Sequence, residues 1–319
     1  MKHGKLIEAE LAKLNLNRQP QRLYEPIRYM LTLGGKRLRP QLMLHAHEVF
    51  EGNIQSMMKP AAGIEVFHNF TLLHDDIMDK APLRRSMQTV HKKWNPDIAI
   101  LSGDTMFVVS CQLMMQVKDE YIKPVLELFF KTAIDVCEGQ QSDMDYERQE
   151  LVSIEEYLNM IRLKTASLLG CATSIGALCA GASMEDTQHL YEFGKNIGIA
   201  FQLHDDILDS YGDPKKFGKQ IGGDIVANKK TILLILALQK AHGTLQKDLL
   251  RWLNTSEDPA KKIEAIMDIY RQLDILKDSS ELMESYFKLA IHELELVNMP
   301  SERKEPLIAM AEVLMVREK

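Results

Sequence analysis

The chain has 319 residues, of which 45% are hydrophobic and 26% are charged, with a formal net charge of −6. This balance is ordinary for a globular protein and argues against a general nucleic-acid binder, whose binding face would be basic. The length suits one large domain or two average ones. The four cysteines show no C-x-x-C or metal-like spacing. We therefore expect reduced thiols and a cytoplasmic location.

Membrane insertion is not expected from the sequence. The first residues read Met-Lys-His-Gly-Lys-Leu-Ile-Glu, which lacks the apolar core of a signal peptide. No uncharged run reaches the length of a membrane-spanning helix. We therefore expect no stable association with a bilayer.

Hydrophobic periodicity is helical almost throughout, and glycine and proline fall mostly at breaks. The pattern predicts an all-α fold with no linker, and hence a single domain over residues 1–319. The predicted helices cover residues 2–17, 23–33, 41–50, 60–80, 97–117, 121–145, 154–181, 186–211, 231–242, 244–253, 259–275, 278–297 and 303–317.

The basic loop 34–40 reads Gly-Gly-Lys-Arg-Leu-Arg-Pro and separates the second and third predicted helices. The glycine pair ends one helix, and the proline suits the first turn of the next. Three cations between helix ends are typical of an anion clamp, although a solvated turn gives the same pattern.

A heptapeptide occurs twice, as Leu-His-Asp-Asp-Ile-Met-Asp at 73–79 and Leu-His-Asp-Asp-Ile-Leu-Asp at 203–209. Residues four apart share a helix face, so Asp75 and Asp79 point the same way, as do Asp205 and Asp209. A single such pattern is often a set of solvated surface acids. Here apolar residues flank both copies, where clustered carboxylates stay ionised only beside cations.

Oxygen ligands without a Cys/His cluster favour Mg²⁺ over Zn²⁺. If the two helices face each other, their carboxylates would hold several divalent cations between them. Mg²⁺ usually shares its coordination shell with phosphates of a substrate. The repeated acids therefore indicate phosphate or diphosphate chemistry.

Further polar residues follow these motifs in the chain. Arg84 and Arg85 follow shortly after the first acidic copy. In that position the arginines and the metal ions would bind the same phosphates. Lys164-Thr165 precedes a run of small residues that allows close helix packing. The loop 212–224 is rich in Gly and Lys, which favours either a mobile lid carrying Lys219 or a flexible surface loop.

These motifs, in this order, resemble the trans-prenyltransferases, or polyprenyl diphosphate synthases. The resemblance runs from about Arg22 to Thr231, and the rest of the chain matches only in being helical. It implies an all-α bundle around a deep central cavity, usually in a homodimer. The implied reaction joins isopentenyl diphosphate head-to-tail to an allylic diphosphate and releases pyrophosphate, with about three Mg²⁺ ions per active site.

The resemblance also implies a role for each matching residue. The metal ligands would be Asp75, Asp79 and Asp205, supported by Asp76, Asp206 and Asp209. The allylic diphosphate would be held by Arg84, Lys164, Lys219 and Lys229. The diphosphate of isopentenyl diphosphate would be held by Lys36, Arg39, His68 and Arg85. The developing allylic cation would face Thr165 and Gln202.

Two departures from the family pattern are visible. Ser86 stands where the family usually has glycine, which leaves the conformation of that loop open. The segment between Lys219 and Lys229 is one residue longer than in some short-chain relatives. The assignment of Lys229 to the allylic diphosphate is therefore weaker than that of Lys219.

Product length should depend on what blocks the cavity one helical turn before Asp75, where the sequence has Phe70 and Thr71. A phenylalanine there predicts a short product, C15 or C20, and the alternative is a longer chain of C25 or more.

Other readings of the sequence are a terpene cyclase or head-to-head synthase, a non-catalytic partner subunit, and a purely structural bundle. The intact acidic pair and the basic loop argue against each of them.

Overall fold

The computed structural model describes residues 3–212, 222–255 and 258–315. The described chain is helical almost throughout, which confirms the predicted all-α class. The helices are α1 Gly4–Ala12, α2 Gln21–Thr32, α3 Leu38–Val49, α4 Ile54–Met78, α5 Val90–Lys93, α6 Pro96–Met114, α7 Asp119–Tyr146, α8 Ile154–Ile161, α9 Ser167–Leu178, α10 Met184–Tyr211, α11 Gly223–Val226, α12 Ile232–Lys240, α13 Gly243–Leu253, α14 Pro259–Gln272, α15 Ile275–Leu296 and α16 Ser301–Met315.

Helix α4 begins earlier than the predicted residue 60, and this difference has a local cause. The side chain of Asn53 accepts a hydrogen bond from the backbone N–H of Gln55 and caps the helix at its true start. Pro60 then lies inside the helix rather than at its first turn. Because the fixed φ of proline is itself helical, the helix continues through Pro60.

A two-stranded antiparallel hairpin interrupts the helices, with β1 at Leu83–Arg84 and β2 at Met87–Gln88. Its turn residues Arg85 and Ser86 have φ values of 52° and 63°. Positive φ at both central residues is what a type I′ turn requires. Ser86 thus takes a conformation that glycine adopts without the usual cost of about 1 kcal/mol.

The chain folds into two compact units. Unit 1 comprises Met1–Phe130 and Ala172–Gln188, and unit 2 comprises Lys131–Cys171 and His189–Lys319. The single domain over residues 1–319 stays a prediction. The first acidic copy belongs to unit 1 and the second to unit 2.

In unit 1, helix α4 packs against α3 and α6 around a fully buried apolar core. Gly63 makes the α4–α6 contact possible, because a Cβ there would lie 3.0 Å from the Leu113 side chain. In unit 2, α12 packs against α8, α14 and α15. The buried residues of that core include Leu203, Ile232, Leu233, Ile266 and Tyr270.

Helix α6 is long and apolar enough, by length and composition alone, to cross a membrane. About a third of its most apolar window is buried inside the structure (33%). A core helix of a soluble protein passes the same test. In unit 1, one face of α6 packs against α2, α4 and α5.

Candidate active site

The first acidic copy ends helix α4. Asp79 is the C-terminal capping residue, and its backbone N–H donates to the carbonyl of Asp75 at 2.9 Å. This helical bond places the two side chains one turn apart on one face, as the i, i+4 spacing predicted. Asp79 is exposed and Asp75 half-buried, so both can reach a ligand.

Asp76 is 2% exposed and is bound by Arg84 from the hairpin. Arg84 donates Nε to both Asp76 carboxylate oxygens at 2.8 and 2.9 Å, and its Nη2 lies 3.5 Å from Asp75 Oδ2. Burial raises the pKa of Asp76, while Arg84 opposes that rise. Arg84 therefore sits beside the acidic residues, as its predicted role requires, and fixes the hairpin to the helix end.

The three cations of the basic loop point in different directions. Arg37 is 3% exposed, adopts φ 49° and forms ion pairs with Glu65 and Glu8, both at 2.7 Å. Lys36 is exposed. Arg39 donates from Nη1 to His68 Nε2 at 3.1 Å.

His68 lies on α4, within hydrogen-bond distance of Arg39. Burial, together with the charges of Arg39 and Arg85, lowers the pKa of His68 well below its ordinary value. The ring is therefore neutral, and it accepts from Arg39 through Nε2. Arg85 donates from Nη1 to the carbonyl of Gly34. These contacts bring His68 and Arg85 to the basic loop, which contains Arg39. Their role as one diphosphate subsite stays a prediction.

An aromatic cluster lies on α4 before the acidic residues. The ring of Phe70 is 5.6 Å from that of Phe67, 5.5 Å from that of Phe107 and 4.8 Å from the imidazole of His74. Thr71 is half-buried and donates its hydroxyl to the carbonyl of His68. Phe70 is thus held by packing in the place where the sequence predicted a chain stop.

The second acidic copy lies near the end of α10 in unit 2. Asp206 is 5% exposed and accepts hydrogen bonds from the Tyr157 hydroxyl at 2.5 Å, Gln202 Nε2 at 3.1 Å and the Ile232 backbone N–H at 3.2 Å. Burial raises the pKa of Asp206 to about 7. A cation bound by the neighbouring carboxylates would favour its ionised form.

Asp205 and Asp209 are half-buried on the same helix, one turn apart. Asp209 accepts the backbone N–H of Asp224 at 3.0 Å, which ties α11 to the acidic residues. The backbone N–H of Lys229 donates to the carbonyl of Asp224. Lys229 also carries a charge that lowers the pKa of Asp206. Lys219 lies outside the described residues.

Lys164 and Thr165 lie in a π-helical turn, Arg162–Ala166, that separates α8 from α9. Lys164 Nζ donates to Asp143 at 2.6 Å, and Thr165 donates its hydroxyl to Gln202 Oε1 at 3.2 Å. Single π turns are frequent at functional sites, since they shift side chains out of the regular helical register. The sequence predicted one unbroken helix over 154–181, and the small residues gave no sign of this turn.

Two glycines make room for the π turn. A Cβ on Gly139 of α7 would lie 2.7 Å from Lys164 Cα, and a Cβ on Gly198 of α10 would lie 2.6 Å from Ala166 Cα. Both neighbours are backbone atoms that cannot swing away. The neighbouring helices therefore fix the position of Lys164 and Thr165.

Replacing Gly139 by Ala should shift the π turn and lower both stability and kcat. We expect the free energy of unfolding to fall by about 1–3 kcal/mol, the usual cost of overpacking. Chemical denaturation and steady-state kinetics measure the two effects. Gly4→Ala is the matched control, because a Cβ there has nothing within 4 Å. Equal stability of the two variants would contradict the role of Gly139.

Sequence reasoning missed three residues that hold the unit 2 site together. Tyr157 orients Asp206, Asp143 pairs with Lys164, and Gly139 admits the π turn. Asp143 stands in a polar stretch, 138–143, at the end of an otherwise amphipathic helix. Such a polar stretch in an amphipathic helix is the sequence signal that could have indicated a site there.

The donor set fits Mg²⁺ in both units. Asp75 with Asp79, and Asp205 with Asp209, offer carboxylate oxygens on one helix face each. Hard oxygen donors without thiolates or imidazoles suit Mg²⁺ rather than softer metals.

Comparisons with known proteins agree with this chemistry. A family model described as polyprenyl synthetase matches residues 20–270, beyond the range of the recognised motifs. A geranylgeranyl diphosphate synthase of Methanosarcina mazei is 40% identical over 236 residues, 73% of each chain. A geranylgeranyl diphosphate synthase of Sulfolobus acidocaldarius is 37% identical over 297 residues, covering 92% of this chain and 90% of the relative.

The fold comparison gives a similar result. The crystal structure of a geranylgeranyl pyrophosphate synthetase from Pyrococcus horikoshii Ot3 superimposes with a TM-score of 0.92 at 32% identity. The alignment covers 98% of this chain and 95% of that one.

Proposed function

Because the chain belongs to the polyprenyl synthetase family and is a prenyltransferase, we propose that it makes a C20 prenyl diphosphate. It would do so by adding isopentenyl diphosphate head-to-tail to an allylic diphosphate. C20 is the upper end of the C15–C20 range expected from Phe70. Relatives named geranylgeranyl diphosphate synthase support this choice.

One observation carries the proposal: the acidic and basic residues of unit 1 converge. Arg84 binds Asp76 and lies 3.5 Å from Asp75, the next residue Arg85 reaches Gly34, and Arg39 binds His68. Carboxylates for a cation and guanidinium groups for diphosphates are thereby assembled at one end of α4. This is the arrangement that a diphosphate leaving group and a second diphosphate need.

Each proposed residue has a defined task in this reaction. The family depends on Mg²⁺, which when bound neutralises the developing charge of the leaving pyrophosphate. Asp75, Asp79 and Asp205 would hold about three such ions. The allylic diphosphate would be oriented by Arg84, Lys164, Lys219 and Lys229, and isopentenyl diphosphate by Lys36, Arg39, His68 and Arg85.

The allylic cation that follows needs polar oxygens nearby and the absence of water. Thr165 and Gln202, which hydrogen-bond to each other, would offer those oxygens. Their mutual bond and the bond from Gln202 to Asp206 keep them in place before substrate arrives. The alkene of isopentenyl diphosphate then attacks this cation, which forms the new carbon–carbon bond and leaves a tertiary cation. The released pyrophosphate would take the proton lost from the carbon next to that tertiary cation, so that a new double bond forms.

The direct test incubates the protein with Mg²⁺, isopentenyl diphosphate and each of dimethylallyl, geranyl and farnesyl diphosphate. Chromatography of the dephosphorylated products should give geranylgeraniol from all three primers. A cyclised hydrocarbon, or no product from any primer, would overturn the proposal. A product of C25 or more would favour the longer-chain alternative.

Phe70→Ala should lengthen the product by at least one isoprene unit. The Phe70 ring packs against Phe67 and Phe107 one turn before Asp75, so its removal opens space in the direction in which a chain would grow. The product distribution measures the effect. Phe130→Ala is the control, because Phe130 is 41% exposed. An unchanged distribution in Phe70→Ala would remove Phe70 from this role.

The homodimer expected for the family is proposed here on an apolar stripe of α6. Leu101 and Val108 of α6 and Met115, its C-terminal capping residue, recur every seven residues and are 59%, 55% and 46% exposed. Heptad spacing places them on one face, which suits a second copy of the chain. The cytoplasmic location expected from the cysteines stays a prediction.

Val108→Glu should convert the dimer to a monomer, because a charge would be buried in the centre of the contact. Sedimentation or light scattering after gel filtration gives the mass of the particle. Val313→Glu is the matched control, since Val313 is 53% exposed on α16. A monomeric wild-type protein, or a dimeric Val108→Glu protein, would rule out this face.

A further inference from the structure

Two histidines and a glutamate form a cluster in unit 1 that the proposed reaction does not use. His3 precedes α1, while His45 and Glu48 lie one turn apart on α3. Glu48 Oε2 is 2.8 Å from His3 Nε2 and 3.1 Å from His45 Nδ1. One donor atom from each residue lies within 4.8 Å of the other two.

The cluster is buried but open on one side. His3 is 1% exposed and His45 5% exposed, whereas the Glu48 side chain keeps 26% of its surface. The two imidazole rings lie with their centroids 4.7 Å apart. Nδ1 of His3 is buried and finds no hydrogen-bond partner among the described residues. Two buried imidazoles therefore converge on one carboxylate that solvent can reach.

This donor set differs from the one that binds Mg²⁺. Imidazole nitrogens suit Zn²⁺ and neighbouring transition metals, and two histidines with one glutamate are a known zinc ligand set with water at the fourth position. Tetrahedral bonds of about 2.0–2.1 Å place donor atoms about 3.3 Å apart. The two distances to Glu48, 2.8 and 3.1 Å, would widen by a few tenths of an ångström, and the two imidazole nitrogens, which lie within 4.8 Å of each other, would come to the same tetrahedral separation.

We propose that His3, His45 and Glu48 form a binding site for a transition-metal ion of the Zn²⁺ class. Such an ion would tie the start of α1 to α3, whose N-terminal end is the basic loop. Arg37 of that loop already binds Glu8 of α1, so the ion would add a second attachment on the same helix. The site is independent of the proposed catalytic residues and shares none of them.

The competing explanation is a hydrogen-bonded triad that holds a proton and binds no metal. In that case Zn²⁺ would add nothing to stability, and the cluster would keep its short contacts. The other competitor is Zn²⁺ held by the catalytic aspartates, where the ligand atoms are oxygens. Ligand identity and the response to single substitutions separate these three cases.

The experiment uses full-length protein without a histidine tag, in excess Mg²⁺ to occupy the aspartates. Zn²⁺ binding is measured by calorimetry and by metal content after dialysis, and zinc-edge X-ray absorption identifies the ligand atoms. Thermal unfolding is followed with and without Zn²⁺. The variants are His3→Ala, His45→Ala and the near-isosteric Glu48→Gln. His292→Ala is the matched control, because His292 and Glu295 form an exposed pair of the same spacing, outside any three-donor cluster of the described chain.

We expect one Zn²⁺ per chain, two imidazoles in its coordination shell, and a rise of about 5 °C in Tm when Zn²⁺ is at a hundred times its Kd. Each cluster variant should weaken binding at least about tenfold, as loss of a ligand does, and His292→Ala should not. No binding in excess Mg²⁺, an all-oxygen shell, or equal affinity in all variants would overturn the proposal. If a histidine variant does not fold, the Zn²⁺ affinity of Glu48→Gln and the zinc-edge absorption spectrum of the wild-type protein test the proposal.

Discussion

Replacing Asp75 by Asn should lower kcat by at least about 1,000-fold and leave the fold intact. The substitution keeps the shape of the side chain but removes the charge that would hold Mg²⁺ against the leaving pyrophosphate. A metal ion contributes several kcal/mol of transition-state charge stabilisation, and each 1.36 kcal/mol is a factor of ten in rate. Asp75 is half-buried at a helix end, so we expect little change in Tm.

The measurement is steady-state kinetics over a range of Mg²⁺ concentrations, with Tm recorded for each variant. Asp104→Asn is the matched control, because Asp104 is an exposed acid on the neighbouring helix α6. Asp79→Asn should resemble Asp75→Asn, since both side chains share one helix face. Activity of Asp75→Asn within tenfold of wild type would remove Asp75 from the proposed metal site.

The acidic residues show what sequence spacing alone can predict. The i, i+4 period is a property of any α-helix, so the shared face of Asp75 and Asp79 follows once the helix is recognised. The spacing does not predict which residue from another part of the chain contacts each carboxylate. Arg84 covers Asp76, and Tyr157 binds Asp206, through tertiary packing that brings residues 8 and 49 positions apart together.

The π turn shows a second limit. It inserts one extra residue in a helical turn without requiring any particular composition, so residues 162–166 look like ordinary helix in the sequence. The sequence features that accompany the π turn are two glycines on the helices that pack against it, Gly139 and Gly198. A glycine within a helical pattern indicates that another part of the chain approaches the helix closely, but it does not identify that part.

The largest effect on stability is expected at Arg37, the middle cation of the basic loop. The pattern of the basic loop alone does not distinguish Lys36, Arg37 and Arg39, although the family resemblance implies a substrate role only for Lys36 and Arg39. In the structure the Arg37 guanidinium is buried and binds Glu65, Glu8 and the carbonyl of Leu31. Its pKa is raised even though burial opposes the charge, because the two glutamates favour it. Arg37 is therefore part of the scaffold that holds the loop.

Arg37→Met should lower the free energy of unfolding by about 3–5 kcal/mol. The cost arises from Glu65, whose side chain is 3% exposed and would keep a charge without its cation. Adding Glu65→Met to Arg37→Met should recover part of the loss, since both members of the buried pair are then apolar. Denaturant unfolding of the single and double variants measures these differences.

Lys36→Met is the matched control in the same loop. It should distinguish a cation that stabilises the fold from a cation that binds the substrate. Lys36 is exposed, so its loss should change the free energy of unfolding by less than about 0.5 kcal/mol. Its proposed contact with isopentenyl diphosphate predicts a raised KM for that substrate. If Arg37→Met is as stable as Lys36→Met, the ion pair with Glu65 does not hold the loop. Should both variants instead raise KM alone, both cations would act on the substrate, as the pattern of the basic loop by itself indicated.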